Sequence, residues 1–205
     1  SLAEAAPRLR LDFSPSPLAR VLRQVKVKEL PCPPCKQPPR VDGRLDDACW
    51  RDAALIDDFS PGRPPTWARV CRDANTLYIA VKCDRVPGRT PVTKVKKRDV
   101  LPYLDDRVEI SIKPSRKRDD QRRFMVTYAG VVYDAVTKGR ARYPEFNAEW
   151  SHAVGRDKDA WTVEIALPLK AMDRTRKRWG ERLGFNIGRD TPGLGESAWV
   201  ETFRD

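Results

Sequence analysis

An all-β fold, a two-sheet antiparallel β-sandwich of jelly-roll type with an extended N-terminal arm, is what this sequence predicts, on three observations. From about residue 41 the chain breaks into short β-prone runs separated by turn signals, at 66–72, 76–83, 107–113, 122–128, 131–137, 150–154, 160–167, 183–189 and 197–203. Almost no stretch carries the 3.6-residue apolar period of a long helix. Apolar residues make up 40% of the 205 residues, enough for the core of one domain.

Taken in order, the first 40 residues are set apart by Pro7, Pro15, Pro17, Pro31, Pro33, Pro34, Pro38 and Pro39. Proline fixes φ and removes a donor, so this segment is neither a long helix nor a central strand. Within it only 18–30 can be regular, and Val21, Val25 and Val27 favour an edge strand. The division that follows is an arm over 1–37 and a sandwich over 38–205. A short helix is predicted over 46–53, capped by Asp46 and carrying Trp50. Asp73-Ala74-Asn75-Thr76 turns the strand 66–72 into 76–83. Pairing 73 with 76 puts Cys71 opposite Tyr78. Cys71 and Cys83 then lie more than about 10 Å apart and do not bridge. Cys83 belongs with Leu77, Ile79 and Val81 on one apolar strand face.

Gly130 marks a hairpin between 122–128 and 131–137. Val163, Ile165 and Leu167 alternate with Glu164 and Ala166, which gives that strand one core face and one half-open face. Pro168 suits the first turn of a second short helix over 168–173, and Gly180 and Gly184 bracket the entry to Phe185-Asn186-Ile187. Trp50 is too large to be left exposed and is expected to plug one end of the sandwich. The predicted core is Trp50, Val70, Leu77, Ile79, Val81, Val108, Ile110, Phe124, Val163, Ile165, Phe185 and Ile187.

Composition narrows the partners. The chain holds 40 Lys and Arg against 29 Asp and Glu, a net charge of +11. Its basic residues alternate with acids, as in Lys117-Arg118-Asp119-Asp120-Gln121-Arg122-Arg123, which argues against a nucleic-acid surface. No apolar run approaches the roughly 20 residues of a membrane span, and the N-terminus shows no signal-peptide core. Five cysteines, Cys32, Cys35, Cys49, Cys71 and Cys83, are too few and odd in number for a disulfide scaffold.

Several segments, in order, resemble the family-nine carbohydrate-binding modules and their DOMON-like relatives. They are Val41-Asp42-Gly43-Arg44-Leu45-Asp46-Asp47-Ala48-Cys49-Trp50, Ala68-Arg69-Val70 running into Asp73 and Leu77-Tyr78-Ile79-Ala80-Val81, Asp105-Asp106-Arg107-Val108-Glu109-Ile110, Trp161 to Pro168, Gly184-Phe185-Asn186-Ile187, and Ser197-Ala198-Trp199. Together they cover about 38–203. The resemblance implies a non-catalytic module that binds a poly- or oligosaccharide on a concave face. It also implies an extracellular or periplasmic location, as part of a larger secreted protein.

In that family two tryptophan rings sandwich a sugar while carboxylate, amide and guanidinium groups bond its hydroxyls. Sugar C–H faces pack on rings, and desolvated hydroxyls need polar partners. The resemblance places Tyr103 at the first aromatic position and Glu109 at the hydroxyl-binding carboxylate. Met125 and Thr127 fall where sugar-binding relatives carry arginine and asparagine. These four are the predicted ligand-binding residues. By the same resemblance the second tryptophan is expected a few residues after Asp205, which implies a sandwich truncated at its C-terminus.

Other chemistries find less support. His152 is the single histidine, beside Trp150 on a predicted strand. Asp105, Asp106 and Glu109 are not the cleft-spanning carboxyl pair of a glycosidase. Cys32-Pro33-Pro34-Cys35 is a lone C-x-x-C without the two further ligands of a structural zinc site nearby in sequence. No metal site is assigned, and no cofactor is expected, with structural calcium and b-type haem kept as the cofactors to weigh. The haem reading, an electron-transfer domain on the same sandwich, would use Met125 and His152. A third class is an interaction module with no small ligand. Finally, Arg89, Lys94, Lys96, Lys97 and Arg98 run into Tyr103, and Lys113, Arg116, Lys117 and Arg118 follow the Glu109 strand. Such loops suit an acidic polysaccharide lying along the rim.

Overall fold

The computed structural model describes residues 28–60, 64–114, 119–139, 141–173, 175, 178–179 and 182–200. Among these residues eleven strands and two short helical turns follow in order: α1 (Cys49–Asp52), β1 (Ala54–Ile56), β2 (Thr66–Arg72), β3 (Thr76–Asp84), β4 (Arg107–Lys113), β5 (Asp120–Thr127), β6 (Val132–Lys138), β7 (Ala141–Tyr143), β8 (Ser151–Arg156), β9 (Ala160–Pro168), α2 (Leu169–Met172), β10 (Gly184–Thr191) and β11 (Gly195–Ala198). They form a five-stranded sheet, β1-β2-β3-β9-β8, and a six-stranded sheet, β11-β10-β4-β5-β6-β7. Every named pairing is antiparallel.

Period-two alternation builds the core between the sheets. Ile79, Val81, Val163 and Ile165 from one sheet meet Val108, Ile110, Phe124 and Ile187 from the other, none more than 1% exposed. Phe185 packs at the margin, only partly buried. Cys71 pairs with Tyr78 across β2 and β3, and Cys83 is buried in the core. The turn between those strands closes on Asp73. Its amide donates to Thr76 O at 3.0 Å. Its carboxylate accepts the amides of Asn75 (2.7 Å) and Thr76 (2.8 Å) and the Tyr78 hydroxyl (2.7 Å).

The outer face of the five-stranded sheet differs from expectation. Trp50 is not an end plug. It lies on that outer face in a second cluster with Ala53, Cys71, Tyr78 and Ala80. Glu164 is not half-open but fully buried there. The reason is a clasp formed by residues 42–50. One carboxylate oxygen of Glu164 accepts the amides of Asp42 (3.0 Å) and Gly43 (2.9 Å), and the other accepts the Trp50 indole N–H (2.9 Å). Burial pushes the Glu164 carboxyl above the usual range, and these three donors pull it back. Gly43 sits at φ +86°, and a Cβ there would lie 2.6 Å from the Gly155 amide nitrogen. A Cβ on Gly155 would lie 2.2 Å from Gly43 O. Two glycines therefore let the clasp cross β8 at backbone contact.

Several boundaries move. The helix predicted over 46–53 is the single turn of α1, with Ala48 rather than Asp46 at its N-cap and no side-chain cap. Three-residue strands β1 and β7 carry too little periodicity to be read from sequence. The run at 197–203 becomes β11, four residues ending at Ala198. The edge strand expected around Val21, Val25 and Val27, and Gly180, lie outside the described residues. Of the described arm, Pro34 makes an isolated parallel bridge to Arg72.

Candidate functional site

Among the described residues no such clasp covers the outer face of the six-stranded sheet, and the predicted Tyr103 and Glu109 lie on that side. Strand phase fixes its rows. Val108, Ile110 and Ile112 point into the core, so Glu109 and Ser111 point outward. The registers set Glu109 beside Met125 and Met125 beside Tyr133. Ser111 lies beside Arg123, and Gly188 of β10 beside Glu109. Gly188 has no side chain to fill its place, and Glu196 Oε1 lies 3.2 Å from where its Cβ would be.

The β3–β4 connection is pinned over the rim by buried acids. Asp105 accepts the amides of Lys94 (2.9 Å) and Val95 (3.0 Å), and Asp106 accepts that of Val92 (2.8 Å). Burial raises the Asp106 pKa, and the Val92 amide works against that rise. This is the physical role of the Asp105-Asp106 pair. Arg107, 1% exposed, then fixes the end of the loop. It donates to the carbonyls of Pro102 and Tyr103, both at 3.0 Å, and ion-pairs with Asp190 of β10 at 2.8 Å.

Tyr103 is thereby presented to solvent, 41% exposed. Its ring lies 5.3 Å from the Arg107 guanidinium and 5.4 Å from that of Arg142, whose N–H also donates to the Tyr103 hydroxyl. Glu109 accepts the Arg123 Nε–H at 2.7 Å. Burial alone would lower the Arg123 pKa, but the Glu109 carboxylate and the nearby Tyr103 raise it. The face thus offers one exposed ring bonded by Arg142 and, near it, the Glu109–Arg123 ion pair.

Met125 and Thr127 share the Glu109 face but have no exposed surface. Met125 packs with Tyr133, Ala135 and Leu101, so the loop before Tyr103 covers it. Thr127 Oγ1 accepts the Val131 amide at 3.0 Å, within the hairpin that Gly130 turns at φ +86°. These two form floor and frame rather than surface. Arg123 and Arg142 were not singled out from sequence. The signal for Arg123 was its phase, two residues before Met125. Arg142 lies on β7, whose existence the sequence does not show.

The haem pair does not meet. Phe124, adjacent to Met125 and on the opposite face of β5, contacts Trp150 at 5.5 Å, and Trp150 contacts His152 at 5.4 Å. His152 therefore lies on the core side and Met125 on the outer side. His152 Nε2 is 3.0 Å from Gly130 O, and burial lowers its pKa.

The basic loops are partly committed. Arg98 pairs with the buried Asp134 at 2.6 Å, Arg89 donates to Pro192 O, and Lys96 Nζ donates to Thr93 O at 2.8 Å. Lys94 and Lys97 are exposed. Arg116, Lys117 and Arg118 lie outside the described residues. A separate open recess of about 710 Å³, lined by Lys82, Asp84, Arg85, Arg89, Lys158 and Asp159 among others, shares no lining residue with the Tyr103 face.

A model of the family described as carbohydrate family 9 binding domain-like matches residues 41–192. No curated protein matches the chain significantly. Among solved structures, a Bacteroides uniformis protein assigned to carbohydrate binding superposes with a TM-score of 0.64 at 14% identity, covering 81% of this chain and 85% of that one. A family 9 module of Caldicellulosiruptor kristjanssonii in complex with glucose gives 0.53 at 14% identity, over 80% of this chain and 82% of that chain. The cellotriose complex from the same organism gives 0.54 at 16%, over 82% and 80%. At these identities the likeness establishes the fold.

Proposed function

We propose, from the premise that this chain belongs to the carbohydrate family 9 binding domain-like family, that it is a non-catalytic module binding a poly- or oligosaccharide on the outer face of its six-stranded sheet. The observation that carries the reading is the exposed Tyr103 ring held beside the Glu109–Arg123 pair. A ring offers a platform for the C–H face of a sugar, and the carboxylate and guanidinium offer an acceptor and fixed donors for its hydroxyls. Tyr103 and Glu109 touch the sugar, Arg123 and Arg142 join them, and Met125 and Thr127 support the face from beneath. The solved family 9 module that holds glucose and cellotriose supports a glucan as the first ligand to try.

This reading places the module outside the cytoplasm, serving a larger protein whose chemistry lies elsewhere. Among the described residues no helix is long and apolar enough to cross a membrane. The test is isothermal titration with glucose, cellotriose and a uronic-acid oligosaccharide at two salt concentrations. Tyr103→Ala is expected to weaken the bound glycan by about 1–3 kcal/mol, or roughly 5- to 150-fold. Glu109→Gln is expected to weaken it as well. Affinity for a neutral sugar stays level with salt, while rim binding of an acidic one falls steeply over the screening range. If both variants bind like the parent, the sugar site is elsewhere.

A further inference from the structure

Three of the five cysteines, from segments far apart in sequence, pack together on the outer face of the five-stranded sheet. Cys35 comes from the arm, Cys49 opens α1 and Cys71 sits in β2, all in the cluster of Trp50 and Tyr78. Within that cluster Cys71 is one of the buried members, and Cys35 and Cys49 are partly buried residues packed against it. Two backbone bonds hold residues 33–35 against β2: the Cys35 amide donates to Arg72 O at 2.7 Å, and the Arg72 amide donates to Pro33 O at 3.0 Å. Cys71 is buried, whereas Cys35 and Cys49 are partly accessible.

The other two cysteines are elsewhere. Cys83 is buried in the main core, and Cys32 packs against that core rather than into the Trp50 cluster. The C-x-x-C pair is thus split between two clusters, which works against a local Cys32–Cys35 bond. Among the described residues, no three His, Cys, Asp or Glu side chains are arranged to hold a metal ion.

We propose that Cys71 is the shared member of a disulfide site, closing a bond to Cys35 that ties the arm to β2, with Cys49 as the adjoining thiol able to exchange into it. Cys35 is the favoured partner because its backbone is bonded alongside Arg72, next to Cys71. The Cys49 segment is already fastened by the Glu164 clasp. The oxidant is a small disulfide such as oxidised glutathione. Cys35 gives its proton to solvent and attacks one glutathione sulfur, releasing one glutathione thiol. Cys71 then loses its proton and attacks the mixed disulfide, releasing the second. Two protein thiols are oxidised and one glutathione disulfide is reduced. Burial pushes the Cys49 thiol up to about 11 and raises Cys71 further, so both stay protonated at neutral pH and the closure is slow.

The full chain is incubated with oxidised glutathione, alkylated and mapped by non-reducing peptide mass spectrometry. The expected result is loss of two of the five titratable thiols, a Cys35–Cys71 peptide pair, and a Tm about 5–15 °C above the reduced chain. Cys35→Ser shifts the bond to Cys49–Cys71, which also serves if Cys71→Ser fails to fold. A Cys32–Cys35 peptide, five thiols still titratable, or stoichiometric zinc that blocks oxidation each overturns the proposal.

Discussion

Replacing Glu164 by glutamine keeps the side chain's size and removes its charge and one of two acceptor oxygens. Three donors converge on that carboxylate: the Asp42 and Gly43 amides and the Trp50 indole, at 2.9–3.0 Å. The amide oxygen of glutamine can face the two backbone donors or the indole, not both. Its NH2 group then opposes a donor. Stranding one buried donor costs about 1–3 kcal/mol. Losing charge assistance on the remaining two bonds costs about 1 kcal/mol each. The total is about 3–5 kcal/mol, or a fall in Tm of about 6–20 °C at this chain length. The assay is urea unfolding followed by tryptophan fluorescence and far-UV circular dichroism, with the slope m checked for constancy. A variant within about 0.5 kcal/mol of the parent would show that the clasp is not fastened by Glu164.

Trp50→Ala should cost about 3–5 kcal/mol, as a large-to-small change in a packed cluster. Trp50→Phe, which keeps the ring and removes the N–H, should couple strongly to Glu164→Gln in a double-mutant cycle of denaturant midpoints; simple additivity would refute the contact. Asp73 has a depressed pKa. Its partial burial works to raise it, and the Tyr78 hydroxyl and the Asn75 and Thr76 amides outweigh that. A depressed acid contributes stability above its unfolded pKa, near 3.8, and loses it as pH falls through the lower folded value. Asp73→Asn should therefore flatten the stability profile below about pH 4 in acid titrations followed by circular dichroism; an unchanged acid limb would refute the role.

Much of the sandwich is legible in the sequence because antiparallel strands with one core face print a period of two. Ile79, Val81, Val163 and Ile165 are read correctly for that reason. The same rule misleads at Glu164. Its phase is outward, but a distant segment folds over it, and nothing local in the strand announces that cover. Trp50 was assigned to the core and belongs to a different one, because size says a ring must be buried and not where. Within the candidate site, phase places Glu109 outward correctly. Met125 and Thr127 have the right phase, yet the loop carrying Leu101 and the hairpin at Val131 close over them. Arg123 and Arg142 escaped notice because one arginine among 40 basic residues carries no local signal. Their meaning comes from Tyr103 and Glu109, which only the tertiary structure brings beside them.

The clasp also sets an order of events at the ribosome. Its donors lie far ahead of their acceptor: Trp50 precedes Glu164 by 114 residues. Translation at roughly 5–20 residues per second leaves an interval of roughly 6–20 s in which the indole has been made and its partner has not. During that interval residues 45–53 have only the β2–β3 hairpin, through Cys71, Tyr78 and Ala80, to pack on, and the indole N–H has no carboxylate partner. The clasp therefore closes only once β9 has been made, ahead of β10 and β11, which follow it in the chain. Misfolding and chaperone capture during synthesis should accordingly concentrate on this early-made, late-fastened segment.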